Sequence, residues 1–377
     1  MHAIVVPMAA RVKGRYAVAL QRKPAIHNEV KEHLSGMTRK SSSDVESLRR
    51  QVASLKKENK ELQKLVHQSK RIPKYIPPPS TINKETILSF GLSLVGTPKW
   101  LTCGAWLKMR RFRSHFGVGP SAIVALISDM KRLQSKPINL TYLFIAIAWL
   151  KIYETEEQMA GRWGYGEKHC RDTVLDYVAR IQAMKKWRIS FRRISTKSRF
   201  LPVDTVHIRC QEFRCTPDSK WYSFKFSGPA VAFEVVTDPD TGYMVWINGP
   251  EPANIDDCVF LRGGKKDKPK STWKRSALYF HIPSGVKLVG DSAYSSQPDK
   301  VTTTKDAHDT KTKKLFARMK SMQETCFKRF KDFKVLREAF RHGTGTDDKM
   351  EKIKTSFEAV AVLVQYDIEN GHPLFEV

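Results

Sequence analysis

The first regular pattern of apolar positions along the chain is a heptad repeat. It comprises Val45, Leu48, Val52, Leu55, Asn59, Leu62 and Val66, separated alternately by three and four residues. This spacing is typical of a coiled coil, in which a single asparagine at an a position favours a parallel dimer with one register. We therefore predict a coiled coil over residues 41–70. A lone amphipathic helix packed on the rest of the protein is the alternative.

The segments on either side of the heptads lack a helical or strand period. Residues 1–40 mix apolar and polar positions irregularly and contain prolines and glycines, so we expect disorder there. Residues 71–85 include the sequence IPKYIPPPS, whose prolines predict a stiff linker. The coiled coil is thus predicted to be separate from the rest of the chain.

Apolar residues recur at helical spacing between residues 86 and 195, which predicts a helical domain. The apolar run from Leu140 to Tyr153 is too short to cross a membrane, and we expect a core helix and no membrane association. A short helix through Met159 and a longer helix from about Glu167 flank a turn that contains glycine. This layout is that of a helix-turn-helix, although an ordinary helical hairpin fits the same pattern.

The period changes from helix to strand at about Phe200. FLPVDTVHIRC predicts one strand, and AVAFEVVTDPDTGYMVWIN predicts a β-hairpin around a strong turn signal. NIDDCVFLRGG predicts a short helix capped by Asn254 and ended by Gly263, and KLVG predicts a strand that ends at Asp291. Two helices follow, the first from about Leu315 to Phe340. This order predicts a mixed α/β domain over residues 196–377, with helices on the sheet.

The charge of the chain indicates a polyanionic partner. The 377 residues include 66 Lys+Arg and 38 Asp+Glu, which gives a net charge of +28. Nucleic acid is the first candidate partner, an acidic membrane surface is the second, and a basic protein with unstructured tails is the alternative to both. The six cysteines are scattered and predict free thiols, since Cys210 and Cys215 have a zinc-like spacing but no second pair follows.

Two aspartates interrupt predicted strands, and a glutamate lies on a predicted helix. Asp204 should point to the same side of its strand as Val206 and Ile208, while Asp291 comes at the end of an apolar strand. Glu324 borders the apolar stripe of its helix. Carboxylates buried in this way are costly unless they are paired or bind a metal. The three suit a two-metal phosphoryl-transfer site with Mg²⁺ or Mn²⁺, although each acid alone could be structural.

These segments resemble a known family. PVDTVHI, GDSAY and QETCFKRFKDFKVL resemble the three acidic motifs of Harbinger-like DDE transposases, and the similarity extends from about Trp100 to the C-terminus. ETEEQMAGRWGYGEKHCRDTV resembles the helix-turn-helix of the family. PANIDDCVF resembles the block between the first two acids, where Asp257 matches a recurrent aspartate. The strand expected after Asp291 is weakly marked, with KVTTT as its candidate.

The resemblance implies an RNase H-like nuclease domain that cleaves DNA at transposon ends with a divalent metal. Its catalytic, metal-binding acids would be Asp204, Asp291 and Glu324, with Asp306, Asp309 and Asp332 as substitutes for the third. It also implies a separate Myb-like DNA-binding partner. Together with the coiled coil we expect a homodimer, in the nucleus where the cell has one. A non-catalytic, transposase-derived DNA-binding protein is the main alternative, and a structural coiled-coil adaptor is a third.

Basic residues in three segments are the predicted DNA contacts. They are Lys168, His169 and Arg171 on the second helix of the helix-turn-helix, Lys268, Lys270, Lys274 and Arg275 in a lysine-rich loop, and Lys328 and Lys331 beside Glu324. Basic side chains of this kind contact the DNA phosphates and do not read the base sequence. Binding through them should therefore weaken with salt.

Overall fold

The computed structural model describes residues 42–69, 76–96, 103–212 and 218–375. Among these, residues 42–69 together with Glu156–Cys170 belong to one compact unit, and the remaining described residues form the other. The predicted disordered segment 1–40 lies outside the described residues, as does Cys215. The predicted domain boundaries stay a prediction.

The helices and strands of the described residues have the following bounds. The helices are α1 Ser42–Ser69, α2 Lys84–Leu94, α3 Ala105–Phe116, α4 Pro120–Leu133, α5 Leu140–Ile152, α6 Glu156–Trp163, α7 Glu167–Gln182, α8 Lys185–Arg188, α9 Asp257–Arg262, α10 Thr310–Lys331, α11 Lys334–Arg337 and α12 Thr346–Glu369. The strands are β1 Phe200–Arg209, β2 Tyr222–Ser223, β3 Gly228–Thr237, β4 Met244–Pro252, β5 Lys287–Gly290 and β6 Val301–Thr303.

The strands form one mixed sheet. β3 is antiparallel to both β1 and β4, whereas β1, β5 and β6 run parallel to one another. The order across the sheet is therefore β4-β3-β1-β5-β6, and the short β2 pairs with the start of β3. β6 coincides with the weakly marked KVTTT segment, so the strand that the sequence barely indicated is present. The mixed α/β class is confirmed.

Each face of the sheet is covered by helices, which explains why β1 and β3 are apolar along most of their length. On one face, Leu201 and Val203 pack with Leu261 of α9. On the other face, the ring of Phe233 stacks on Phe357 of α12, with the ring centroids 3.8 Å apart. Helix α10 covers the same face at β5, where its buried side chains meet Val289.

The helices before the sheet join it through a buried ionic network. The Asp129 carboxylate of α4 accepts hydrogen bonds from the Arg188 Nε (2.8 Å) and from the Tyr366 hydroxyl of α12 (2.6 Å). Arg188 also pairs with Glu369 at 2.7 Å. Burial raises the pKa of Asp129, but the hydrogen bonds from Tyr366, Arg188 and Arg132 together hold it below its usual range. One carboxylate thus ties α4, α8 and α12 together.

The structure contains the helices on which the coiled-coil and helix-turn-helix predictions rest. α1 spans all of the predicted heptad positions, and its Val52 and Leu55 are exposed. In α6, Met159 and Trp163 are buried, and α7 begins at Glu167 as expected. The helices are thereby confirmed, whereas coiled-coil pairing and a DNA-binding role of the helix-turn-helix stay predictions.

Two details of the predicted elements were wrong. The short helix before the lysine-rich loop is capped by Asp256, whose carboxylate accepts from the Val259 N–H at 2.9 Å, and not by Asn254; Gly263 ends it as predicted. The long helix α10 starts earlier than expected and stops at Lys331, because the chain turns at Asp332 before the short α11. The apolar run Leu140–Tyr153 is a core helix, and no described helix is long and apolar enough to cross a membrane.

Replacing Asp129 by alanine should destabilise the fold, because it removes the partner of a half-buried arginine. Loss of one member of a buried ion pair costs about 3 kcal/mol. Chemical denaturation should show this loss for Asp129→Ala and almost none for Asp347→Ala, whose carboxylate is exposed in the first turn of α12. Equal stability of the two variants would contradict the role of the network.

Candidate active site

Asp204 and Asp291 lie level with each other on two neighbouring strands. In the parallel pair β1 and β5, Pro202 is the partner of Val289. Asp204 comes two residues after Pro202, and Asp291 comes two residues after Val289. Parallel strands that are in register bring such positions to the same height of the sheet. Both aspartates therefore lie at the height of the sheet where β5 ends.

Backbone hydrogen bonds fix the orientation of both carboxylates. Asp204 Oδ1 accepts from the N–H of Thr205 at 2.7 Å. Asp291 Oδ1 accepts from the N–H of Ala293 at 2.8 Å and so caps the short 3₁₀ turn Ser292–Ser296. The capping role explains why Asp291 comes where it does, and it holds the side chain at the end of the strand.

The environment of Asp204 favours its protonated form. Burial raises the pKa of Asp204 to about 6, and the nearby carboxylates of Asp291 and Asp257 raise it as well. The Thr205 N–H and the ammonium group of Lys225 act in the opposite direction. A desolvated carboxylate among like charges is a site that a cation would stabilise, and such perturbed acids are common at functional sites.

A third carboxylate, Asp257, approaches this pair from the start of α9. Its pKa is raised by burial and by the charge of Asp291, while the Thr205 hydroxyl lowers it. The same hydroxyl lies 3.2 Å from the buried Tyr294 Oη. Thr205 therefore connects the two sides of the sheet, with its N–H on Asp204 and its side chain between Tyr294 and Asp257.

Glu234 is a fully buried acid beside this group. It is the cross-strand partner of Thr205 and is inaccessible to solvent. Burial raises the pKa of Glu234 to about 8, and the charge of Asp257 adds to the rise. The indole N–H of Trp246 lowers this pKa but is not aligned for a normal hydrogen bond, and neither carboxyl oxygen has another partner among the described residues. These surroundings favour the protonated form of Glu234.

Helix α10 is attached to the sheet next to Asp204. The side chain of Gln323, which is 2% exposed, donates to the carbonyl of Val235 at 2.9 Å and accepts from the Thr237 hydroxyl at 2.7 Å. Val235 is the cross-strand partner of Asp204. The next residue on the helix, Glu324, is exposed. The Gln323 hydrogen bonds therefore set where Glu324 stands relative to the sheet.

The three substitutes for Glu324 have structural roles. Asp309 caps α10 by accepting from the Thr312 N–H at 2.8 Å, and Asp306 accepts from the N–H of Thr303 at 2.7 Å. Asp332 lies at the C-cap position of α10, where its backbone N–H donates to the Lys328 carbonyl at 3.0 Å. Because the strand after Asp291 is present and the carboxylates of Asp306 and Asp309 bond the local backbone, Glu324 stays the predicted third acid.

The donor set fits a hard divalent cation only in part. Carboxylate oxygens are the ligands that Mg²⁺ and Mn²⁺ prefer, and Asp204 and Asp291 offer them at one edge of the sheet. In the part of the chain that the structure describes, no three histidine, cysteine, aspartate or glutamate side chains are close enough to share one ion. Glu324 therefore does not join the aspartates in this structure.

The predicted DNA contacts are spread over the surface. Lys168, Arg171, Lys268, Lys270, Lys274, Arg275, Lys328 and Lys331 are exposed, and His169 is partly exposed. In the lysine-rich loop, Lys274 pairs with Glu251 at 2.5 Å and Lys270 donates to the Tyr279 hydroxyl at 2.8 Å. Lys331 lies close enough to His207 to help lower its pKa to about 4, although burial is the main cause.

Three residues of the site were not predicted from the sequence. Glu234 carried a usable signal, since it is a charged residue inside the apolar run AVAFEVVT. Lys225 and Gln323 carried none, because an exposed lysine and a glutamine on a helix are ordinary features. Their positions beside Asp204 depend on strand pairing and helix packing.

Comparisons with known proteins do not identify a family. No protein-family model matches the chain, and no curated protein matches it. One similar solved structure is a pre-cleavage Mos1 transpososome, 12% identical, with a TM-score of 0.17 and coverage of 79% of this chain and 99% of that chain. Another is the Mos1 transposase paired-end complex with left transposon end, 13% identical, with a TM-score of 0.17 and coverage of 75% and 98%. A TM-score this low does not establish a shared fold, and no role of a residue is inferred from either structure.

Replacing Gln323 by leucine should loosen α10 from the sheet. It leaves the Val235 carbonyl and the Thr237 hydroxyl buried without their partner, at a cost of about 2 kcal/mol or more. Urea unfolding of Gln323→Leu should show this loss. Ser321→Ala, an exposed change on the same helix, should alter the free energy of unfolding by less than about 0.5 kcal/mol. If the two variants unfold alike, Gln323 does not anchor the helix.

Replacing Glu234 by glutamine should stabilise the protein at neutral and alkaline pH. The folded pKa, about 8, is above the ordinary value of 4.5, so the folded state keeps a proton that the unfolded chain releases. Wild-type stability should therefore fall between pH 4.5 and pH 8 because of this residue. The stability gain of Glu234→Gln should grow across that interval and then level off.

Denaturation of both proteins at a series of pH values measures this gain. Glu85→Gln, a change at an exposed glutamate, should show no growing gain over the same interval. A constant difference between Glu234→Gln and wild type at all pH values would show that Glu234 is not protonated in the folded state.

Proposed function

We propose that the protein is a metal-dependent DNA endonuclease of the DDE transposase type. It would hydrolyse phosphodiester bonds at transposon ends and could transfer the freed strands. One observation carries the proposal: Asp204, within the central strand β1, stands level with Asp291, which directly follows the parallel strand β5, and burial and like charge at Asp204 favour a bound cation. Asp204, Asp291 and Glu324 are the proposed catalytic acids.

The sheet is compatible with the RNase H-like fold that the Harbinger-like resemblance implies. A single antiparallel strand, β3, lies within an otherwise parallel five-strand order, and helices cover both faces. Helix α10, which carries Glu324, packs on the face toward which Asp204 points, and Gln323 bonds it to the strand beside Asp204. This supports Glu324 as the third acid, to be drawn toward the aspartates by a cation and the DNA.

Asp204 and Asp291, with Glu324, would hold Mg²⁺ or Mn²⁺. Such ions lower the pKa of an attacking water and stabilise the attacking and leaving oxygens of a displacement at phosphorus. The protein itself orients the two aspartates through the N–H groups of Thr205 and Ala293. The charge of Lys225 would help hold the phosphate of the substrate beside them.

DNA is the proposed substrate because of the net charge of +28 and the exposed lysines and arginines of the predicted contacts. The helix-turn-helix of α6 and α7 would add contacts to the duplex. The exposed Val52 and Leu55 of α1 support pairing of two copies through the heptads. A Myb-like partner and a nuclear location are further parts of the proposal that rest on the resemblance.

One observation favours a second candidate, a transposase-derived protein that binds DNA without cutting it. Glu324 is exposed, and no described group of three carboxylates gathers around one point. A chain that keeps its fold and its basic surface but no longer assembles the third ligand would have this structure.

Purified protein incubated with supercoiled plasmid and Mn²⁺ should nick the DNA, and the variants should separate the two candidates. Asp204→Asn, Asp291→Asn and Glu324→Gln should each lower the nicking rate by about 10³-fold or more, as expected for groups that act in the chemical step. All three should still bind DNA with an affinity that falls as salt is added.

The matched control is Asp347→Asn, which removes an exposed carboxylate from α12 and should nick like wild type. Nicking that persists in all three acid variants would contradict the proposed site. Binding without nicking by the wild type would favour the non-catalytic candidate.

A further inference from the structure

A short hairpin beside the candidate active site presents aromatic rings to solvent. It is formed by β2 and the start of β3, where Tyr222 pairs with Pro229 and Ser223 pairs with Gly228. Phe224, at its tip, is 81% exposed, the highest value among the exposed large apolar side chains of the described residues. The adjoining Tyr222 is 40% exposed. Neighbouring exposed apolar side chains of this kind are a feature of interaction sites.

The hairpin is firmly attached to the strand that carries Asp204. The hydroxyl of Ser223 is buried and lies 2.8 Å from the Nδ1 atom of His207 on β1. The N–H of Phe226 donates to the carbonyl of Ser223 at 3.2 Å and closes the turn. His207 follows Asp204 by three residues, about 10 Å along a strand. The hairpin that carries Phe224 is therefore fixed to the same strand as Asp204.

The two aromatic rings form an ordered pair. The ring centroids of Tyr222 and Phe224 are 5.2 Å apart and the rings are nearly perpendicular, at 86°. Contact between edge and face is a favourable geometry for aromatic side chains. Tyr222 thereby supports the Phe224 ring from one side while most of that ring remains open to solvent. The Phe224 ring alone thus offers a flat apolar face on which a nucleobase could stack.

A lysine adjoins the exposed ring in the hairpin. The ammonium group of Lys225, the residue after Phe224, acts on the pKa values of Asp204, Asp257 and His207 and so lies near all three. Lys331 acts on His207 as well. A second copy of a chain with a charge of +28 would bring like charges together at this surface. A polyanion would instead match both the lysines and the net charge.

We propose that Phe224, supported by Tyr222, stacks on an unpaired nucleobase of the DNA next to the carboxylates, while Lys225 binds the adjoining phosphate. This inference rests on the proposed function, for which it defines the substrate as DNA that is locally unpaired at the site. Stacking on an aromatic ring does not depend on base identity, because every base has an aromatic face. The hairpin thus holds the strand in place and leaves sequence recognition to other parts of the protein.

Binding to two probes tests the stacking without any cleavage. One probe is a short DNA duplex, and the other is the same duplex with a few unpaired nucleotides, one of which is the fluorescent base 2-aminopurine. Both are titrated with the full chain in the presence of a chelator. Wild type should bind the unpaired probe more tightly than the paired one and should quench the fluorescence.

Phe224→Ala should lower the affinity for the unpaired probe by roughly 5- to 150-fold, the range measured for single base–aromatic stacks. It should change the affinity for the paired probe little and should restore the fluorescence. Phe224→Trp should keep the preference, because indole offers at least as large a stacking surface. The matched control, Trp106→Ala, removes an exposed aromatic ring beside Arg110 on α3 and should preserve both the preference and the quenching.

The inference is overturned if Phe224→Ala binds both probes like wild type or loses both affinities equally. It is also overturned if Phe224→Ala changes the oligomeric state, since the rings would then be an interface between copies, or if it abolishes binding to vesicles of anionic lipid that wild type binds. Failure of wild type to bind either probe would contradict the proposed function itself. Because metal is absent, an inactive but DNA-binding protein still gives a clear result for Phe224.

Discussion

The parallel pairing of β1 with β5 is the constraint on which the rest of the site depends. It brings Asp204 and Asp291 to the same height in the middle of the sheet, although the two residues are far apart in the sequence. Helices cover both faces of these strands, so the strands are apolar up to the point where the carboxylates come. A shift of the pairing by one residue would turn one carboxylate to the opposite face and separate the pair.

The residues around β1 and β5 only partly compensate the negative charge of the carboxylates that these strands bring together. Burial and the mutual repulsion of Asp204, Asp257 and Asp291 raise the pKa values of the first two, and Lys225 offsets only part of the effect. On the other side of the sheet, Glu234 is buried without an aligned donor. Accumulated acids of this kind lower stability, and proteins retain them where function requires it. Lys225, which lies near these acids, belongs to the aromatic hairpin that we propose holds the DNA strand.

The sequence was sufficient for the parts of the structure that depend on local pattern. The β3–β4 hairpin, the core helix α5, the strand β1 and the apolar stripe of α10 all follow from periodicity and turn residues. The end of α10 and the cap of α9 were wrong, because Asp256 and Asn254 are equally good capping residues and only the path of the chain chooses between them. The roles of Gln323 and Lys225 could not be predicted from the sequence, since they arise from contacts between residues that are distant in the sequence.

The most direct test of the account is the binding of Mn²⁺ itself, measured by electron paramagnetic resonance on the full chain without DNA. If Asp204 and Asp291 form one cation site, wild type and the control Asp347→Asn should bind Mn²⁺ alike. Asp204→Asn and Asp291→Asn should each lose that binding while remaining folded. Equal Mn²⁺ binding by all four proteins, or none by wild type, would contradict the claim that the paired strands exist to present a metal site.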